Sequence, residues 1–232
     1  MADYDLLAPH YDAVTGDSAT EAAFIRDIIE RRHGRAATLL DLACGTGSMT
    51  APLADAYRVS GLDISPGMLA VAREKLPGRT RLYLADMTSF RLDARFDVVV
   101  CAYQGLNHLL SLSAWKSAFD CVREHLNPGG LFVFDITTVG ELHEMAGVPR
   151  MVQEFAGNYL LIRVRTADGT IFDWHIEVYE LQSDGRYRLL TQTVALRSFP
   201  LADIREALRA RFTDPEVISA GDRIWFACRA PA

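Results

Sequence analysis

Leu39-Leu40-Asp41-Leu42-Ala43-Cys44-Gly45-Thr46-Gly47-Ser48-Met49-Thr50 decides how the chain is read. An apolar run that ends in glycines reads as a buried parallel strand followed by a sharp turn. Gly45 and Gly47 remove two Cβ atoms where the chain reverses and where a ligand can approach the backbone. Met49, Leu53 and Ala54 predict a helix after the turn, whose first N–H groups favour polar or anionic partners. A glycine pair after a strand also occurs in dinucleotide-binding units. Two details point elsewhere: Thr50 stands where that fingerprint wants Gly or Ala, and Asp41 sits at the strand end. A carboxylate there repels a pyrophosphate and attracts a cationic ligand.

Outward from this stretch the chain alternates strand and helix, the pattern of an α/β sheet. Ser18-x-x-Glu21 has the form of a capping box, and Phe24, Ile25, Ile28 and Ile29 give the helix after it an apolar face. Thr38–Leu42 is the first strand. Arg58–Leu62 is the second and stops at Asp63, roughly 20 residues past the glycine turn, where a Rossmann unit places a ribose-binding acid. A bland turn acid has the same appearance. Ser65-Pro66 starts the next helix with a good N-cap and first residue. Arg81–Ala85 is the third strand and runs into Asp86-Met87. Phe96–Ala102 is the fourth and leads into Tyr103-Gln104-Gly105-Leu106-Asn107-His108. Ser113 caps a helix with Trp115, Phe119, Val122 and Leu126 on one face, Asn127-Pro128-Gly129-Gly130 ends it, and Leu131–Ile136 is strand five.

The pattern then changes. Asn158–Thr166, Ile171–Leu181 and Tyr187–Phe199 alternate, with Phe172, Trp174, Ile176 and Val178 opposed to Asp173, His175, Glu177 and Tyr179. Two Asp-Gly turns between them predict a three-stranded antiparallel meander, a substrate cover or a dimer surface. His175, Arg163 and Arg165 fall on its solvated face. Leu201, Ile204, Leu208 and Phe212 mark a helix. Val217–Ser219 and Arg223–Arg229 predict a closing antiparallel pair joined by Ala220-Gly221-Asp222.

The string D-L-A-C-G-T-G resembles motif I of the class I S-adenosylmethionine (SAM)-dependent methyltransferases. D-I-S-P-G-M-L from Asp63, A-D-M from Ala85 and N-P-G-G from Asn127 are similar to later landmarks of that family, in the same order. The resemblance implies a Rossmann-like sandwich with a mostly parallel seven-stranded sheet, a C-terminal antiparallel hairpin strand and the meander inserted after strand five. It implies SAM as cofactor and S-adenosylhomocysteine (SAH) as product. Cofactor contacts would come from Asp41, Ala43, Gly45 and Gly47, with Asp63 on the ribose and Ile64 and Met68 flanking ribose and adenine. Asp86 would accept from the adenine amine, Met87 would line the ring, and Ala102 and Tyr103 would border the methionine end. Tyr11 lies in an N-terminal Tyr-Asp segment that resembles one closing over the cofactor in small-molecule members. Gln104, Asn107 and His108 would face the substrate. His108 and Tyr11 are the candidate bases for a hydroxyl acceptor; an unprotonated amine needs none. The inserted sheet resembles the branch that holds sugar N,N-dimethyltransferases and uncharacterised bacterial relatives. A SAM-binding module without transfer, a methyltransferase of RNA or protein, and an NAD-dependent oxidoreductase are the competing readings.

At 232 residues the chain is long enough for one α/β domain with an elaboration. The expected division is an N-terminal cap over 1–35, a cofactor-binding core over 36–150, the insert over 151–199 and a closing segment over 200–232. A net charge of −6 disfavours nucleic acid as the partner. A small-molecule acceptor and a monomer or homodimer are expected. No apolar run reaches membrane-span length, and Met1-Ala2-Asp3-Tyr4-Asp5 lacks signal-peptide features, which implies a cytoplasmic protein. Cys44, Cys101, Cys121 and Cys228 form no metal-ligand pattern, so no metal and four reduced thiols are expected.

Overall fold

The computed structural model describes residues 4–220 and 223–232. Its strands are β1 (Thr38–Leu42), β2 (Arg58–Asp63), β3 (Arg81–Leu84), β4 (Phe96–Cys101), β5 (Leu126–Ile136), β6 (Met151–Phe155), β7 (Asn158–Arg165), β8 (Phe172–Leu181), β9 (Tyr187–Leu196), β10 (Thr213–Ala220) and β11 (Arg223–Arg229). Seven of them form one sheet in the order β10-β11-β5-β4-β1-β2-β3. β1 to β5 are mutually parallel, and β11 is antiparallel to both β5 and β10.

The helices are α1 (Tyr11–Thr15), α2 (Ala19–His33), α3 (Thr50–Leu53), α4 (Pro66–Lys75), α5 (Leu112–His125), α6 (Val139–Gly147) and α7 (Leu201–Arg209). The two-residue period of the strands sends successive side chains into two cores. Leu40, Val99, Phe132, Phe134 and Phe226 face the α5 and α7 side, with Trp115, Phe119, Ile204 and Leu208. Leu39, Val98, Val100, Val133 and Trp225 face the other side, with Ile25, Ile28 and Ile29 of α2. Burial on both faces is why these strands read as continuous apolar runs.

β6 to β9 form a second, antiparallel sheet. It has four strands where three were expected, because Met151–Phe155 pairs with β7. Val152, Gln153 and Glu154 of that strand are exposed, and an exposed edge strand lacks the buried alternation that marks its neighbours. A helix that the sequence reading passed over, α6, precedes it. Thr138 and Glu141 close a complete capping box at its start.

Three expected helix starts differ. Ser18 makes no side-chain cap on α2; its hydroxyl accepts from Tyr103 Oη at 2.9 Å, and Asp17 takes the Ala19 N–H at 2.9 Å instead. Ser111, not Ser113, caps α5. The helix after the glycine turn is only α3, four residues long, too short to act as a dipole-bearing anion site. Gly221 and Asp222 of the expected hairpin link lie outside the described residues, as do Met1-Ala2-Asp3. Among the described residues no helix is long and apolar enough to cross a membrane.

Asp97, at the start of β4, ties the entrance of β1 to β5. Its Oδ2 accepts from Ala37 N at 2.9 Å, Thr38 N at 3.0 Å and Thr38 Oγ1 at 2.9 Å, and its Oδ1 accepts from Asn127 Nδ2 at 2.8 Å. Burial pushes its pKa up, but the donors of Ala37, Asn127 and Thr38 outweigh it and hold the carboxyl at about 2. A depressed folded pKa contributes stability that is present above the unfolded value and is lost as pH falls through the folded one. Asp97→Ala is therefore expected to cost roughly 1–3 kcal/mol in urea unfolding at neutral pH. The deficit should shrink as the titration is moved from pH 5 towards pH 2.

Candidate active site

The carboxyl ends of β1, β2, β3 and β4 open on one cavity of about 470 Å³. In a parallel sheet this edge collects the loops, so it is where ligands bind. Asp41, Asp63 and Asp86 all lie on its wall.

Asp41 is buried and accepts from Thr50 Oγ1 at 2.5 Å. Thr50 thus serves as a hydroxyl donor where a dinucleotide turn packs a small residue. Burial, with the nearby Asp63 charge added, pushes the Asp41 carboxyl up to about 7. Asp63 is nearly as enclosed. Its Oδ2 accepts from Gly45 N and its Oδ1 from Ser65 N, both at 2.8 Å. Each oxygen keeps a second lone pair for a ligand donor. Burial raises its pKa as well. Asp86 accepts from Thr88 N and Thr88 Oγ1 through one oxygen, both at 2.7 Å. Ala43, Gly45, Ile64, Met68, Met87, Ala102 and Tyr103 join the same wall. Ile64 is 56% exposed, an apolar side chain presented to the cavity mouth.

Gly47 does not belong with them. It is absent from the wall, and its φ of +77° together with a Cβ that would stand 2.8 Å from Leu76 Cδ1 makes it a turn and packing glycine.

The N-terminal segment straps across the turn. Asp5 accepts from Ser65 Oγ and, at 2.9 Å, from Gly67 N. Asp12 accepts from Thr46 Oγ1 and Ser48 Oγ, both at 2.5 Å, and pairs with Lys75. This strap brings Tyr4 and Tyr11 to the cavity. Burial first, then the neighbouring Tyr103 and Asp63, push the Tyr11 hydroxyl up to about 12. At neutral pH the Tyr11 hydroxyl therefore carries its proton.

After β4 the backbone turns through two left-handed residues, Tyr103 (φ +55°) and Gln104 (φ +59°). The Gln104 N–H donates to Asp135 Oδ1 at 2.9 Å. Asp135 is fully buried, and burial lifts its carboxyl to about 6. Arg223 stands 3.6 Å from its Oδ2, a charge contact without a hydrogen bond, and lies over the Tyr103 ring at 4.9 Å. Gln104 and His108 reach the cavity wall.

Asn107 does not. It is wholly buried, and its side chain is spent on three backbone groups: Nδ2 donates to Thr137 O at 3.1 Å and Arg197 O at 3.0 Å, and Oδ1 accepts from Thr137 N at 3.0 Å. The Arg197 N–H donates back to Asn107 O at 2.8 Å. Asn107 pins the end of β9 to the loop that carries His108, so its expected contact with substrate is corrected.

The inner face of the second sheet roofs the cavity with Ile162, Trp174, Ile176 and Leu196. His175, Arg163 and Arg165 stand on the opposite face; His175 pairs across the ladder with Arg163 and bonds Thr193 Oγ1 at 3.0 Å. The sequence reading placed Trp174 and Ile176 on the apolar face of a meander expected to be a substrate cover or a dimer surface; they lie over the cavity. Arg223, seen only as a strand residue, had no motif to reveal it. Among the described residues no group of His, Cys, Asp and Glu could hold a metal ion.

Residues 39–130 match the family model for a methyltransferase domain. Over this segment the chain is similar to SAM-dependent methyltransferases. It is 36% identical over 141 residues to a dTDP-3-amino-3,6-dideoxy-α-D-glucopyranose N,N-dimethyltransferase of Streptomyces fradiae, covering 58% of this chain and 55% of that one. It is 37% identical over 120 residues to a dTDP-3-amino-3,4,6-trideoxy-α-D-glucopyranose N,N-dimethyltransferase of Streptomyces venezuelae, covering 51% and 50%. The chain thus spans about half the length of these curated relatives. The SAM-bound structure of an amino pentose methyltransferase from Micromonospora echinaspora superposes over 95% of this chain and 94% of that one, with a TM-score of 0.82 and 27% identity. That superposition extends beyond the methyltransferase core to the roof.

Replacing Asn107 by Ala strands the Thr137 amide and two carbonyls inside the protein. A loss of at least about 2 kcal/mol is expected in denaturant unfolding, since each stranded group costs roughly 1–3 kcal/mol. Asn107→Asp, which keeps the shape but removes both donors, should lose a similar amount at pH 7; a neutral result for both would take Asn107 out of the clamp.

Proposed function

We propose that the chain moves a methyl group from SAM to a nitrogen or oxygen atom of a small molecule. The observation that carries this reading is the trio of carboxylates ending three adjacent strands around the glycine turn. Asp63, held by Gly45 and Ser65, offers lone pairs to vicinal hydroxyls. Asp86 offers an acceptor to an exocyclic amine, with Ile64, Met68 and Met87 as the apolar slot for a ring. Asp41, Ala43, Gly45, Ala102 and Tyr103 take the amino-acid end, where a buried acid attracts a cation. Bound there, SAM supplies an activated methyl on a sulfonium.

The residues of the chain then need only align and desolvate the partners. The strap closes one side and the second sheet covers the other, which supports a small acceptor. Gln104 and His108 border the acceptor side, and the Tyr11 hydroxyl orients it as a donor. The Streptomyces relatives are N,N-dimethyltransferases of dTDP-amino sugars, which supports a small polar acceptor.

Asp63→Ala is expected to weaken SAH binding by roughly 1.5–3 kcal/mol in calorimetry, the scale of lost charge-assisted hydrogen bonds. Unchanged affinity in a folded variant removes Asp63 from the ribose. The activity itself is tested by transfer of labelled methyl from SAM into small-molecule, RNA and protein fractions of a host extract. Label in small molecules is expected. Label confined to RNA or protein overturns the acceptor class, and SAH binding without label in any fraction favours a binding module.

A further inference from the structure

The strap over residues 4–15 is held differently on its two sides. Towards the roof it is held mainly by apolar packing. Leu7 is buried with Phe155, Ile176 and Val178, and Tyr4, Tyr11 and Val14 pack against the same cluster. His10 adds an edge contact to the Phe155 ring at 5.7 Å and stands 3.2 Å from Glu180 Oε1. Towards the floor the ties run through two carboxylates. Asp5 takes Ser65 Oγ and Gly67 N at the start of α4. Asp12 sits at a denser junction. Thr46 Oγ1 and Ser48 Oγ each donate to its Oδ1 at 2.5 Å, and Lys75 Nζ pairs with its Oδ2. Lys75 Nζ also donates to Ser48 Oγ at 3.1 Å and to Thr46 Oγ1 at 3.4 Å. One carboxylate, two hydroxyls and one ammonium thus join the strap to the glycine turn and to the last residue of α4. Thr46 and Ser48 line the cavity, whereas Asp12 and Lys75 do not. Just behind the strap, Gly16 has a φ of +76° and nothing within 4 Å of where a Cβ would stand, which gives the chain room to pivot.

We propose, on the SAM-binding reading above, that the junction of Asp12 and Lys75 is a latch that sets how fast SAM enters and SAH leaves, without touching either. The strap is fastened at Thr46 and Ser48, next to Gly45, and at Ser65 and Gly67, just past Asp63. It walls the same cavity as Gly45 and Asp63, so its release widens the way to them. The latch is suited to opening. The side chains of Asp12 and Lys75 are 42% and 28% exposed, so water and salt compete for both charges. The apolar packing of Leu7 on the roof is not screened in this way, so release begins on the floor side. A latch that lies off the ligand holds the barrier in both directions. A residue that binds the ligand behaves otherwise: its loss speeds departure and weakens affinity.

The test follows tritium-labelled SAH on the full chain, association by rapid mixing and dissociation by chase with unlabelled SAH. Asp12→Ala and Lys75→Met are each expected to raise both rates at least fivefold and to leave the dissociation constant within twofold of wild type. Lys75→Arg, which keeps the charge, should stay within twofold of the wild-type rates. Raising NaCl from 50 to 500 mM should speed both rates at least threefold in the wild type and by less than half as much in Lys75→Met. Asp63→Ala, by contrast, should speed dissociation alone. Unchanged rates in both Asp12→Ala and Lys75→Met overturn the latch and leave the SAM-binding reading standing. Faster dissociation with unchanged association makes the junction a support of the bound cofactor and overturns the latch as well. If the wild type does not bind SAH, both fall.

Discussion

Two hydrogen bonds from the backbone to Asp63 set the geometry on which the site depends. Gly45 N belongs to the turn after β1 and Ser65 N to the start of α4. One carboxylate therefore fixes the glycine turn against the next strand and helix. The cost of burying that charge is offset by the two donors, and further by any hydroxyl a ligand brings. The N-terminal strap reinforces the same region from outside, through Asp5 on Ser65 and Gly67 and through Asp12 on Thr46 and Ser48. Floor and strap are thus organised by acids that accept from backbone and hydroxyl donors. The roof is organised by apolar packing.

This division explains what the sequence made legible. The floor is local. Thr38–Leu42, the turn, Asp63 and the Ser65 cap are each written within a dozen residues, and a strand buried on both faces is a continuous apolar run. Asp41, Asp63 and Asp86 could be picked out because a polar residue closing an apolar strand has few structural reasons to be there. The roof's alternation was also legible, through Phe172, Trp174, Ile176 and Val178. What that alternation faces stayed divided between a substrate cover and a dimer surface, since the same pattern describes any half-buried sheet.

Two of the misreadings, Asn107 and Ser18, share a cause. Asn107 looked like a ligand contact because a polar residue in a loop after a strand normally is one. Its partners, Thr137 and Arg197, lie 30 and 90 residues away and leave no local trace. Ser18 looked like a cap, but its hydroxyl is taken by Tyr103, 85 residues on. β6 was missed for the opposite reason: its side chains are exposed, so no buried periodicity marks it. The capping box of Thr138 and Glu141 was in the sequence and was overlooked, because nothing apolar and periodic called attention to α6.

The attachment of the roof gives it a further property. The roof is joined to the loop bearing His108 by backbone atoms of Arg197 and by Asn107, a residue of the floor. The side chains that hang into the cavity, Ile162, Trp174, Ile176 and Leu196, take no part in that joint. The methyltransferase-domain match, residues 39–130, likewise stops before the roof begins. The side chains over the cavity can therefore be recut, residue by residue, to fit a different guest without disturbing the seam between floor and roof.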